Sequence, residues 1–454
     1  MKLLKHSIKA RVLWLLASCV ALLLSTPLPA YAQKSRSESQ SVTRWEHSDD
    51  GFRRRLEIRG KAEFTDDYTD IQSVSEDGWV TIEEHRDGQS RRYEVRRDAS
   101  GQITRAFFVN GTSQQLDANA KSWLAKFVLD AVRQGGIDAD KRVQRILSQR
   151  GVSGVLAEIE QISGDYAKRR YYQELIKQAS LDATQLRDVL RQMRTISSDY
   201  EMAQLLIAVA PMLTGKEAAI QPFFDAVATI KSDYEHSRVL KTLLKQGTPS
   251  RALLVLIASS TKSISSDYEK AGVLKKVAVS YLDEPTLRDV FFQTVGSIES
   301  DYERRGVLTA LVKTGNQGEE VLRLLLDSAA GMSSDYEKAG VLKKVAASYL
   351  DDPTLRDVFF QTVGSIESDY ERRGVLTALV KTGNQGEEVL RLLLDSAAGM
   401  SSDYEKATFL ITVSNVYTGD TRLKSAFLKA VETIKSDYER GRVLSILLKN
   451  KQIS

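Results

Sequence analysis

Ser300-Asp301-Tyr302-Glu303 is one copy of a short motif whose recurrence decides how the chain is read. Its Asp-Tyr pair returns at Asp165, Asp199, Asp233, Asp267, Asp301, Asp335, Asp369, Asp403 and Asp437, always 34 residues apart, with no insertion or deletion. A fixed period of this length means an array of like units, each burying its apolar side against its neighbours. Serine precedes the aspartate in every copy but the first, which has Gly164, and glutamate follows the tyrosine in every copy but the first, which has Ala167. Around the motif the apolar positions are fixed too. Ile or Met lies three residues before each aspartate, as Ile298 and Met332 do, and Leu lies seven after it in all copies but the first, where Tyr172 stands.

Ser-x-x-Glu is the pattern of a helix capping box. The serine oxygen takes the glutamate N–H, and the glutamate carboxylate returns to the serine N–H. Aspartate at the first helical position adds negative charge where the helix dipole is positive. The motif residues are therefore read as structural caps, in Ser198, Asp199, Tyr200 and Glu201, in Ser266, Asp267, Tyr268 and Glu269, and in Ser300, Asp301, Tyr302 and Glu303. The tyrosines, in the second helical position, are expected to pack on the preceding helix rather than meet a ligand. Lys270, Lys275, Lys276, Arg304, Arg305 and Lys313 read as a solvated face.

Each unit then holds two helices. In one, Pro285 to Ile298 turns Leu287, Val290, Phe291, Val295 and Ile298 inward, with Pro285 suited to the first turn. Its partner runs from Asp301 to about Lys313 and stops at Thr314-Gly315-Asn316. The expected fold is mostly α: a right-handed α-solenoid of about nine 34-residue helix-turn-helix repeats over residues 152–450, entered through a connecting helix at 136–151. Ser265–Ala339 and Ser333–Ala407 differ only at Val279/Ala347 and Glu284/Asp352, a duplication of 68 residues. A one-dimensional stack tolerates such copying, and it supplies surface rather than one unique pocket.

The unit is similar to a tetratricopeptide repeat in length, but it lacks the Trp-x-x-Leu-Gly-x-x-Tyr run, and Pro285 and Pro353 open helices rather than close units. It looks more like a HEAT-like array. Ser-Asp-Tyr-Glu arrays behind a small sheet domain resemble uncharacterised bacterial envelope proteins. They also resemble the helical tails of some β-lactam-sensor-type membrane metallopeptidases, although no His-Glu-x-x-His peptidase motif is present. The resemblance covers most of residues 46–450 and implies no activity.

Ahead of the array, Asp77-Gly78, Asp87-Gly88, Ser100-Gly101 and Asn110-Gly111 are turn signals separating Trp79–His85, Arg91–Arg97 and Ile103–Val109. That spacing predicts an antiparallel β-meander. Val80 and Ile82, Tyr93 and Val95, and Ile103, Phe107 and Val109 share faces by strand alternation. Asp117 caps a helix that brings Leu124, Phe127, Val128, Ala131 and Val132 over the apolar side. Residues 46–135 are thus read as a small α+β domain that shields the first helices of the array. A ligand cradle on its open face and a strand-edge docking site are the other readings. Residues 33–45 read as a flexible lead-in and 451–454 as a tail.

Lys2, Lys5, Lys9 and Arg11 precede an apolar run, Val12 to Leu24, and Ala30-Tyr31-Ala32 follows. This layout predicts a secretory signal over residues 1–32, cleaved after Ala32, and a periplasmic or secreted protein. Leu16-Ala17-Ser18-Cys19 resembles a lipobox and leaves a lipoprotein anchored at Cys19 as the alternative. The chain has 64 basic and 60 acidic residues, so without the four leader cations the two balance. A general nucleic-acid binder is disfavoured by that balance. Once the signal is cleaved, no integral membrane span is expected.

Neither a catalytic nor a cofactor pattern stands out. His47, His85 and His236 share no zinc spacing, with His236 expected on an exposed helix turn, and there is no nucleophile elbow or phosphate loop. The expectation is an exported, non-catalytic scaffold for a protein or extended peptide, with no metal or cofactor. An envelope sensor signalling through the sheet domain is one alternative, and a cell-wall enzyme with an unrecognised carboxylate pair the other. The last helix carries Val443, Leu444 and Leu447 near the chain end, where self-association or partner docking is expected.

Overall fold

The computed structural model describes residues 42–49, 51–247, 249–280, 284–315, 318–349, 352–383, 386–414 and 421–449. The leader with Cys19 and Ala32, and the tail 451–454, lie outside them. The chain divides into two compact units at Leu129/Asp130, within helix α1 (Ala118–Gly135).

The first unit holds an antiparallel sheet of order β1 (Val42–Asp49), β2 (Phe52–Arg59), β5 (Trp79–Arg86), β6 (Gln89–Arg97), β7 (Ile103–Val109) and β8 (Thr112–Gln114). A separate two-stranded ribbon pairs β3 (Ala62–Phe64) with β4 (Ile71–Val74). Strand β1 begins at Val42, so the last residues of the stretch read as lead-in are sheet; its mostly exposed, polar side chains give no apolar alternation to mark it. Asp87-Gly88 and Asn110-Gly111 both have positive φ at each position, the backbone of a tight hairpin turn whose twist matches its strands. One sheet face buries Leu56, Ile58, Val80, Ile82, Tyr93, Val95 and Phe107. Asp117 caps α1 by accepting the Ala120 N–H at 2.8 Å, and the helix turns the buried Trp123, Leu124 and Phe127 into the same unit. Trp123 Nε1 donates to the buried Glu84 at 2.9 Å, and Arg54 donates to the same carboxylate at 3.1 Å. The opposite face is tiled by Arg–Glu pairs, among them Arg55–Glu57 at 2.6 Å and Arg92–Glu94 at 3.2 Å.

The second unit is the helical array. Helix α2 (Ala139–Ile159) is interrupted at Gly151, whose φ of 64° and ψ of −165° no helix admits. From there units repeat without change of plan. Each second helix begins at the motif aspartate, for example Asp199–Val209, Asp267–Val277, Asp301–Val312, Asp335–Val345 and Asp369–Lys381. Second helices pack on second helices of the neighbouring units, and first helices mostly on first helices. The nine Ile and Met residues before the motifs are all buried, and so are Leu206, Leu240, Leu274, Leu308, Leu342, Leu376 and Leu410. Each such leucine contributes about 1.5–3 kcal/mol of apolar burial. Its last equivalent, Leu444, is only half-buried, in the last of the motif units. Among the described residues no helix is long and apolar enough to cross a membrane.

Candidate functional site

The motif works differently from the capping box its spacing predicts. Half of the box forms: the glutamate N–H reaches the serine oxygen in the eight Ser-Asp-Tyr-Glu copies, at a long 3.3–3.4 Å. In place of the returning glutamate, the serine N–H donates to the aspartate of the preceding unit. Ser198 donates to Asp165, Ser232 to Asp199, Ser266 to Asp233, Ser300 to Asp267, Ser334 to Asp301, Ser368 to Asp335, Ser402 to Asp369 and Ser436 to Asp403, at 2.6–2.8 Å. In most joints the N–H one residue earlier joins it, as Ser333 does to Asp301 at 2.8 Å. The eight aspartates from Asp165 to Asp403 therefore each clamp the start of the next second helix, and these charge-assisted bonds are the strong kind. A reciprocal capping box does occur, at a helix start outside the motif, between Asp182 and Gln185.

The glutamate, released from the box, pairs with a cation of the preceding unit. That cation stands four residues after the previous aspartate in Arg169–Glu201, Arg305–Glu337 (2.8 Å) and Arg373–Glu405. It stands eight after in Lys241–Glu269 (2.7 Å), Lys275–Glu303 (2.8 Å) and Lys343–Glu371 (2.8 Å). Units with Asp199 and Asp403 carry no base at either position. There the next glutamate turns to its own helix, Glu235 to Arg238 at 3.0 Å and Glu439 to Arg442. A third set of cations, three residues after the aspartate, covers carbonyls where the next first helix ends. Lys270 donates to Ser297 O at 3.1 Å, Arg304 to Gly331 O at 3.1 Å and Lys406 to Thr433 O at 3.1 Å. Cations at helix C-termini answer the dipole. So Lys270, Lys275, Arg304 and Arg305, read from sequence as solvated, are joints, whereas Lys276 and Lys313 are exposed.

The first copy departs from the motif because its preceding neighbour is different. Gln134 of α1 accepts the Ser163 N–H at 2.9 Å, standing in for an aspartate clamp. The Gly136 turn packs closely on the Arg170 side chain and the Ala167 backbone, and Ala167 is fully buried.

With both acids drawn into the joints, the tyrosines stand out. Tyr166, Tyr200, Tyr234, Tyr268, Tyr302, Tyr336, Tyr370, Tyr404 and Tyr438 are each 53–75% exposed. This corrects the expectation that they pack on the preceding helix. The reason is positional: the second helical position points away from the layer contact, and the preceding Ile or Met already fills the core. Guanidinium groups lie over several rings, with Arg305 between Tyr302 at 5.7 Å and Tyr336 at 5.4 Å, and Arg373 over Tyr370 at 5.3 Å. These contacts brace Tyr302, Tyr336 and Tyr370 against neighbouring cations.

Between two second helices the face forms a groove of about 410 Å³ lined by Arg305, Thr309, Tyr336, Gly340, Lys343 and Lys344. A Cβ on Gly340 would meet Arg305 Cδ at 2.7 Å, and one on Gly306 would meet Lys275 Cε at 2.7 Å. The missing side chain gives these two cations room to lie across the helix; where Gln204 and Thr408 stand instead, Arg169 and Arg373 still reach Glu201 and Glu405.

Other expected residues lie elsewhere. Val443 and Leu447 are buried in the core of their own chain, and Leu444 is half-buried against it, so the last helix does not offer them as an association surface; Leu448, 63% exposed, is its free apolar side chain. His236 is buried rather than exposed, with Nε2 at 2.8 Å from Ser260 Oγ. Burial pushes its imidazole pKa below the ordinary 6.5, against a smaller upward pull from Asp233. At Asp301 burial pushes the carboxyl up, but the Ser334 and Ser333 N–H groups, the Ser333 hydroxyl and Arg304 outweigh it and hold it below the ordinary 3.8. At Asp403 the Ser436 and Lys435 N–H groups lower it likewise.

No cluster of three or more His, Cys, Asp or Glu side chains suited to a metal ion occurs among the described residues. No protein-family model matches the chain, and no characterised protein matches it in sequence.

Proposed function

We propose that the chain is an exported, non-catalytic interaction scaffold, related to the bacterial envelope proteins its repeats resemble, that holds a protein or extended peptide along the tyrosine face of its array. The observation that carries this reading is the exposure of all nine motif tyrosines while the neighbouring acids are withdrawn into the joints. Solvent-facing aromatic rings in a row, each with a polar hydroxyl and a rigid body, are what protein-binding surfaces enrich. No tyrosine hydroxyl takes part in the clamps, which are made by backbone N–H groups, serine hydroxyls and the motif carboxylates. Export is supported by the leader, with its cations, apolar run and Ala30-Tyr31-Ala32.

The test is retention from bacterial envelope extract by the immobilised full chain beside a variant in which Tyr268, Tyr302, Tyr336 and Tyr370 are serine. The reading expects a protein retained by the wild type and lost by the variant, with helicity unchanged. Equal retention by both would remove the tyrosine face from the account.

A further inference from the structure

We infer that the central tyrosine face takes an extended acidic peptide, with a carboxylate at about every third residue, an inference that rests on the scaffold reading above. Two features of the face point there. The first is charge. The acids beside the tyrosines are inward: the side chains of Asp301, Glu303, Glu337 and Glu371 are 10–12% exposed. Their basic partners stay more open, at 37% for Lys275, 34% for Lys343 and 27% for Arg305. The groove under Tyr336 is lined by Arg305, Lys343 and Lys344 and by no acid, and Lys344 is exposed. A carboxylate entering it meets the ammonium groups of Lys343 and Lys344 and the guanidinium of Arg305, whose side chain lies across Gly340.

The second is spacing. Arg305 lies over both Tyr302 and Tyr336, which places the two ring centres within about 11 Å of each other. Packed helices in such a layer are separated by about 8–10 Å. Three residues of an extended or polyproline-type chain advance about 9–10 Å. A polyproline-type chain, with three residues per turn, therefore presents every third side chain on one side and in register with successive units, which a β-strand with its alternating faces does not. The same joint pattern, a cation crossing a glycine, recurs at Gly272, Gly306, Gly340 and Gly374. Arg238 and Thr408 hold the equivalent positions on either side, which bounds the glycine joints to the central units. A peptide is favoured over a polyanion such as nucleic acid because the chain without its leader carries as many acids as bases.

The test uses the full chain and three labelled twelve-residue peptides: four Glu-Pro-Pro triplets, the same residues rearranged with the four glutamates consecutive, and four Lys-Pro-Pro triplets. The inference expects the spaced acidic peptide to bind at least tenfold more tightly than the clustered one, and the lysine peptide not to bind. It expects Lys344→Glu and Tyr336→Ala, each with wild-type helicity and melting temperature, to weaken the spaced peptide by fivefold or more. Since Lys344 is exposed, its replacement does not threaten the fold. Equal binding of spaced and clustered peptides, absence of binding by all three, or tighter binding of polyphosphate than of the spaced peptide overturns it. If the acidic peptides fail while the tyrosine-to-serine variant still loses an envelope protein, this inference falls and the scaffold reading stands; if both fail, both fall.

Discussion

Asp301 stands in the first turn of its own helix and also accepts two N–H groups from the start of the next unit's second helix, Ser333 at 2.8 Å and Ser334 at 2.7 Å. Replacing it by asparagine keeps the shape but removes the charge that strengthens both bonds, and is expected to cost about 1–2 kcal/mol in urea unfolding at neutral pH. Asp437 is the internal control: its side chain is 97% exposed, so Asp437→Asn is expected to leave the midpoint unchanged. Because the native Asp301 carboxyl is held below 3.8, the unfolded chain takes up its proton first. The clamp's contribution is therefore complete above about pH 4 and is lost as pH falls through the native value. His236 acts in a higher window. Its native pKa lies below 6.5, so protons favour the unfolded chain as pH falls through 6.5, and stability declines there. His236→Gln should abolish the slope of melting temperature between pH 6.5 and 5; an unchanged slope would assign it to other groups.

At the scale of elements, six of the eight clamped joints between second helices add an ion pair to the clamp. The pair is partly open to solvent, so Lys275→Ala is expected to cost only about 0.5–1 kcal/mol, and a double-mutant cycle with Glu303→Ala should return most of it. A coupling near zero would mean the pair is ornamental. The helices themselves were legible in the sequence, because a 34-residue period with fixed Ile and Leu positions leaves one way to bury them. The joint was not: Ser-x-x-Glu has a local solution, the capping box, and the sequence does not reveal that Asp301 captures the Ser334 N–H first, 33 residues along the chain. The exposed tyrosines followed from the same blind spot, as did the use of Lys270 and Arg304 on carbonyls of the next unit. Strand β1 was missed because its side chains are mostly exposed, which erases the alternation that marked β5 to β7. Val443 and Leu447 looked unpartnered only because the apolar residues of a last helix give no hint of which side faces the array.

For the whole molecule, stability should behave as a sum over units and joints. Deleting residues 335–402 removes two units and leaves Ser334 joined to Asp403, which preserves the Asp301 clamp and the 34-residue register. The shortened chain is expected to fold with unchanged helicity per residue and a reduced urea m-value, in proportion to the surface lost; aggregation or loss of cooperativity would show that the units are not interchangeable. The central claim, that the motif spends its acids on the joints and leaves its tyrosines to solvent, is tested most directly by chemical nitration of the full chain followed by mass spectrometry of each tyrosine. The account predicts fast modification of Tyr166, Tyr200, Tyr234, Tyr268, Tyr302, Tyr336, Tyr370, Tyr404 and Tyr438, while the buried Tyr93, Tyr171, Tyr172 and Tyr349 stay unmodified until the chain unfolds. Protection of the nine motif tyrosines in the free protein would contradict it.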